Sequence, residues 1–188
     1  MKKSVYRITF IAMMAALTYV VTIFRIPLGA SKIHLANAVC LLCGMLLGPV
    51  SGGLAAGLGS ALYDWLAGGY DFVNVLITFF SKFAMAWVCG LLVHRVRTGN
   101  VTRSYLMLTL SAAAGALTYV ALYMLKTAVF QLYVYNYPAE QAWITMLAKL
   151  WPSLLNAAAA VIFAPLFYHA VVPALKAAGV MNILEDGI

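Results

Sequence analysis

Long apolar runs recur from one end of this 188-residue chain to the other, broken only by short polar or Gly/Pro-containing stretches. With 65% hydrophobic and 9% charged residues, the chain has too little polar side chain to coat a soluble globule of its size. A bilayer core about 30 Å thick takes roughly 20 helical residues, and lipid cannot satisfy an open backbone. The expected fold is therefore an all-α integral membrane protein, a single domain over residues 1–188. Unbroken apolar runs in place of strict alternation argue against a β-barrel.

The runs predict six transmembrane helices, at about 4–24, 34–48, 50–69, 73–96, 104–135 and 141–175, with Pro49, Pro152, Pro165 and Pro173 marking turns or kinks. The first run continues from Ile8 to Phe24, longer than the apolar core of a cleaved signal, which favours a retained helix. Six spans put both termini on one side. Lys2, Lys3, Arg7, Arg95, Arg97, Arg103 and Lys176 fall on that side and only Arg25 and Lys32 on the other, so both termini are expected to be cytoplasmic, in a multi-pass protein of the cell membrane. The net charge of +7 is scattered among apolar spans and builds no basic face for nucleic acid. Cys40, Cys43 and Cys89 sit in apolar surroundings without a second metal-ligand pair and read as buried thiols.

Three lysines, Lys82, Lys126 and Lys149, lie inside predicted spans, where a charge costs at least about 2.5 kcal/mol and turns toward a cavity or a partner. On span 4, Asn74, Thr78, Ser81, Lys82 and Met85 fall at steps of three and four; on span 5, Tyr119, Tyr123, Lys126, Phe130 and Tyr133 do so; on span 6, Thr145, Lys149, Pro152 or Ser153, and Asn156. Three aligned stripes predict an outward-facing pocket for a small polar ring compound. The competing explanation is interhelical hydrogen bonding with lysines reaching for headgroups. Asp64 either pairs one of the lysines or caps its loop, and His34 and Asn37 stand where they could line the pocket mouth. Tyr133, Tyr135, Tyr137 and Trp143 read first as an interfacial belt.

No paired carboxylate, metal-binding helix, nucleophile elbow or phosphate-cradling loop is present, so catalysis and ATP hydrolysis are not expected, and no cofactor or metal is called for. Any pumping must borrow energy from a partner. Residues 44–71 hold eight of the 14 glycines, and the Gly48/Gly52 and Gly53/Gly57 spacings predict close helix packing in place of ligand contact. Ala12 and Ala16 on span 1 repeat the small-residue spacing that lets another helix approach.

Length, six spans, the Ala12/Ala16 pair, the segment "GMLLGPVSGGLAAGLGSALYDWLAGGYD" and above all its Leu46-to-Gly52 element together resemble the substrate-binding S components of energy-coupling factor (ECF) transporters. The resemblance covers nearly the whole chain and is closest to the branch containing riboflavin, hydroxymethylpyrimidine and pyridoxine transporters. It implies one substrate bound near the outer surface among helices 4 to 6, with Arg25 to His34 as a lid. It also implies a transmembrane T component, contacting Ala12 and Ala16, and two cytoplasmic ATPases, with the loaded subunit toppling in the membrane. The substrate-binding candidates are Lys82, Lys126, Lys149, Asn74, Thr78, Tyr123, Asn156, Asp64, His34 and Asn37. Pyridoxine-like vitamers, hydroxymethylpyrimidine-like precursors and pantothenate-like acids all fit them. A stand-alone carrier and a ligand-free membrane scaffold are the rival readings.

Overall fold

The structure, a computed structural model, describes residues 2–28, 31–95 and 105–181. The predicted cytoplasmic cations Arg97 and Arg103 and the C-terminal tail lie outside the described residues. Six helices stand where the six apolar runs are: α1 (Lys2–Ile23), α2 (Ala36–Leu47), α3 (Pro49–Leu66), α4 (Phe72–Arg95), α5 (Tyr105–Val129) and α6 (Ala139–Ala177). α1, α4, α5 with its C-terminal extension, and α6 are long and apolar enough to cross a membrane. α2 and α3 are shorter, with 12 and 18 residues.

Two local departures from the expected pattern bear on function. The segment between α1 and α2, the lid that the resemblance implies, forms an antiparallel hairpin, β1 (Arg25–Leu28) and β2 (Ser31–His34), pairing Arg25 with His34 and Leu28 with Ser31. Pro27 falls in β1, tolerable because a two-stranded ribbon has only edge strands. The second departure is at the end of α5, where the backbone widens into a π turn over Phe130–Val134, closed by the Tyr135 N–H donating to the Phe130 carbonyl at 2.9 Å. The prolines also behave differently from one another. Pro49 opens α3, where a missing N–H is harmless, whereas Pro152, Pro165 and Pro173 lie within α6, which runs on through all three.

α2 is the centre of the bundle. Every residue from Ala36 to Leu47 is buried, and α1, α3, α4, α5 and α6 all pack against it. So complete an enclosure requires backbones to approach closely. A Cβ on Gly44 would strike the Ala86 carbonyl of α4, one on Gly52 the Cys43 carbonyl of α2, and one on Gly59 the Ala15 carbonyl of α1. Gly53 and Gly57 work differently, accepting the rings of Phe83 and Phe79 from α4. The reversal between α2 and α3 needs Gly48 for its conformation: φ is +80°, a region that L side chains rarely adopt, and its N–H closes onto the Gly44 carbonyl at 3.1 Å.

At that end of the bundle Arg7 of α1 clamps the start of α3, its Nε and Nη2 donating to Ser51 Oγ at 3.1 and 2.7 Å. Ala12 and Ala16 are exposed on α1, while Met14, Ala15 and Thr18 face the bundle. Gly44→Ala and Gly52→Ala should each lower the unfolding free energy by at least about 1–3 kcal/mol, the usual cost of overpacking. Thermal unfolding of the purified protein in detergent checks this; unchanged midpoints would show that the helices can separate at no cost.

Candidate functional site

Because α2 has only 12 residues, it is about 18 Å long, well short of a bilayer core about 30 Å thick. Its longer neighbours continue past its first turn and enclose a cavity of about 510 Å³. The floor is Ala36 and Asn37 of α2, and the walls are the last turns of α1, α3 and α5 and the first half of α4 and α6. All ten substrate-binding candidates named from the sequence line this one cavity: His34 at the end of β2, Asn37 on α2, Asp64 on α3, Asn74, Thr78 and Lys82 on α4, Tyr123 and Lys126 on α5, and Lys149 and Asn156 on α6. Ser81, Tyr119, Phe130 and Ser153 from the same stripes join them. Met85, by contrast, goes to the core, and Tyr133 is exposed.

The three intramembrane lysines have different surroundings. Lys82 is 4% exposed; its ammonium donates to Asn37 Oδ1 and lies 3.7 Å from the centre of the Tyr119 ring. A buried ammonium needs such partners, and these two tie α4 to α2 and α5. Lys126 and Lys149 are only half buried, and neither ammonium makes a hydrogen bond or ion pair with a described residue. Lys126 lies 5.6 Å from the Phe130 ring centre and within electrostatic range of Asp64, Lys149 and Asp71. The backbone carbonyl of Asp64 receives the Tyr70 N–H at 3.3 Å and closes the turn after α3.

Other groups fix the rim. The His34 backbone N–H donates to Asn156 Oδ1 at 3.0 Å, tethering the hairpin to α6. At the start of α4 the Asn74 side-chain amide donates to Asp71, and the Asn74 backbone N–H reaches Asp71 Oδ2 at 3.3 Å. These bonds, the side-chain one first, hold the exposed Asp71 carboxyl below the usual carboxylate range. Tyr119 and Tyr123 stack with centroids 6.1 Å apart and planes at 16°, presenting aromatic surface to the cavity.

Several lining residues were missed from the sequence. Ser60 and Tyr63 belong to the glycine-rich α3, from which Asp64 alone was named as a candidate; Gly69, Tyr70 and Asp71 follow in the turn, and Thr22 and Arg25 come from the end of α1 and the hairpin. Arg25 lies over the Tyr63 ring, 5.2 Å from its centre. Gln131, 8% exposed, reaches the cavity from the π turn, and its Oε1 has no hydrogen-bond partner. Spacing signalled Ser60, which stands four residues before Asp64 on the same helix; nothing in the sequence signalled the π turn. Among the described residues no group of three or more His, Cys, Asp or Glu side chains could hold a metal.

The partnered Lys82 makes a sharp energetic prediction. Asn37→Leu strands a buried ammonium and should cost about 3 kcal/mol or more, whereas Lys82→Met strands only a neutral amide oxygen, at about 1–3 kcal/mol. The double variant should lose less than the two singles together, as measured by a double-mutant cycle on unfolding.

No individually curated protein matches the chain. The family model of the ECF-type riboflavin transporter S component matches residues 2–173, from the first turn of α1 to the last turns of α6. A polar cavity walled by helices long enough to span a membrane, in a chain matched over almost its whole length, shows that the protein belongs to the ECF-type riboflavin transporter S component family, a family of membrane-embedded substrate-binding subunits for vitamin uptake and not of enzymes.

Proposed function

We propose that the cavity over α2 captures one molecule of a water-soluble vitamin or vitamin precursor at the outer face, and that the loaded subunit delivers it inward with a T component and two ATPases. The observation that carries this reading is the convergence of polar and aromatic groups from six helices and the hairpin on one space of about 510 Å³, within the range of small-molecule sites. The stacked Tyr119 and Tyr123 rings suit a planar ring system, and the amides of Asn74 and Gln131 suit its heteroatoms. Riboflavin, named by the family, and the smaller pyridine and pyrimidine vitamins are the substrates this chemistry admits.

Orientation follows from charge. Arg7, Arg95 and Lys176 lie toward the end opposite the cavity, so the positive-inside rule puts the cavity outside, with six crossings and both termini in the cytoplasm. The hairpin from Arg25 to His34 then covers the entrance. α1 turns Ala12 and Ala16 away from the bundle, a small-residue strip on which the T component's helices can lie.

Native mass spectrometry of the gently purified protein should reveal a co-purified small molecule, and the same compound should raise the unfolding temperature. In liposomes the chain alone should bind without turning over, while addition of the T component and ATPases should give ATP-dependent uptake; uptake by the chain alone would establish a stand-alone carrier instead. Ala12→Trp with Ala16→Trp should abolish assembly with the T component in a pull-down and leave ligand affinity within about twofold of wild type, since neither residue lines the cavity.

A further inference from the structure

We propose that the substrate carries an ionised acid group, a carboxylate or a phosphate, seated on the ammonium groups of Lys126 and Lys149. The inference rests on the uptake reading above and narrows its substrate class. Among the described residues four cationic side chains line the cavity, Arg25, Lys82, Lys126 and Lys149, against two carboxylates, Asp64 and Asp71, an excess of two positive charges among them.

The surroundings of each charge locate that excess. Lys82 is held by Asn37 and the Tyr119 ring, and Arg25 lies over Tyr63. Asp71 is occupied by Asn74. Lys126 and Lys149 remain, close enough to repel one another and with no hydrogen-bond acceptor among the described residues. Lys126 has the Phe130 ring at 5.6 Å and the field of Asp64 and Asp71, but two half-buried ammonium groups on facing helices lose water on closure of the site and regain no hydrogen bond unless the ligand supplies the acceptor. An anion bridging them relieves the repulsion and satisfies both, through charge-assisted hydrogen bonds.

Two further groups agree. The first turn of α2 opens into the cavity at Ala36 and Asn37 with no side-chain cap, and a helix N-terminus adds positive potential there. Gln131 Oε1, buried and unpartnered, calls for a donor N–H or O–H elsewhere on the same ligand. The ligand thus described has an acid group, a planar ring for Tyr119 and Tyr123, and at least one donor. Neutral riboflavin lacks the first of these.

The test uses the full chain in non-ionic detergent, with calorimetric titration of matched probes: riboflavin against riboflavin 5′-phosphate, and pyridoxine against pyridoxine 5′-phosphate and 4-pyridoxate. The ionised member of a pair should bind at least about tenfold more tightly. That preference should vanish in Lys126→Gln with Lys149→Gln and return in Lys126→Arg with Lys149→Arg, a rescue that separates loss of charge from loss of fold. Equal or tighter binding of the neutral members would overturn the inference and leave the uptake reading standing; binding of no member would overturn both. Nanodiscs containing phosphatidylglycerol provide the other arm. If that lipid stabilised the wild type but not the glutamine variant, while no soluble acid bound, the anion would be a headgroup and the inference would fall.

Discussion

The structure depends on a mismatch of length: a central helix of 12 residues surrounded by five neighbours, three of which run to 22, 24 and 25 residues and one to 39. A buried helix that stops short leaves a volume above it that side chains from the surrounding helices must either fill or line. Here they line it, with polar groups whose placement in a lipid-surrounded bundle is tolerable only because they face one another across that space. The glycines make the mismatch possible. Without backbone contact at Gly44, Gly52 and Gly115, where a Cβ would lie 2.6 Å from the Met85 carbonyl, the neighbours could not close around α2, and the cavity would have no floor.

Helix placement was legible because the physical demand is local and strong: each helix in a membrane must be apolar over its length, so its boundaries can be read from the run itself. The lysines were legible for the inverse reason, since a charge inside such a run must face inward, and the stripes gave the direction. What the spacing could not distinguish was Lys82 from Lys126 and Lys149. Their difference comes from Asn37, 45 residues away in sequence, which meets Lys82 only after folding.

Three features escaped for distinct reasons. Ser60 and Tyr63 were hidden by the glycines around them, which made α3 read as a packing element, although its last two turns also wall the cavity. The hairpin was hidden by Pro27 and by its four-residue strands, too short for an alternating pattern to show. Gln131 was hidden by the π turn, which widens the helix and upsets the steps of three and four on which the stripe on α5 was drawn.

One tether of the hairpin to α6 is made by the backbone N–H of His34. A fastening of that kind is indifferent to side-chain identity. This bond therefore survives a change of side chain at position 34 as long as α6 keeps Asn156. Relatives built on this plan can diverge in what their entrance admits without redesigning the hinge that holds it, and the same scaffold is open to re-engineering there by grafting.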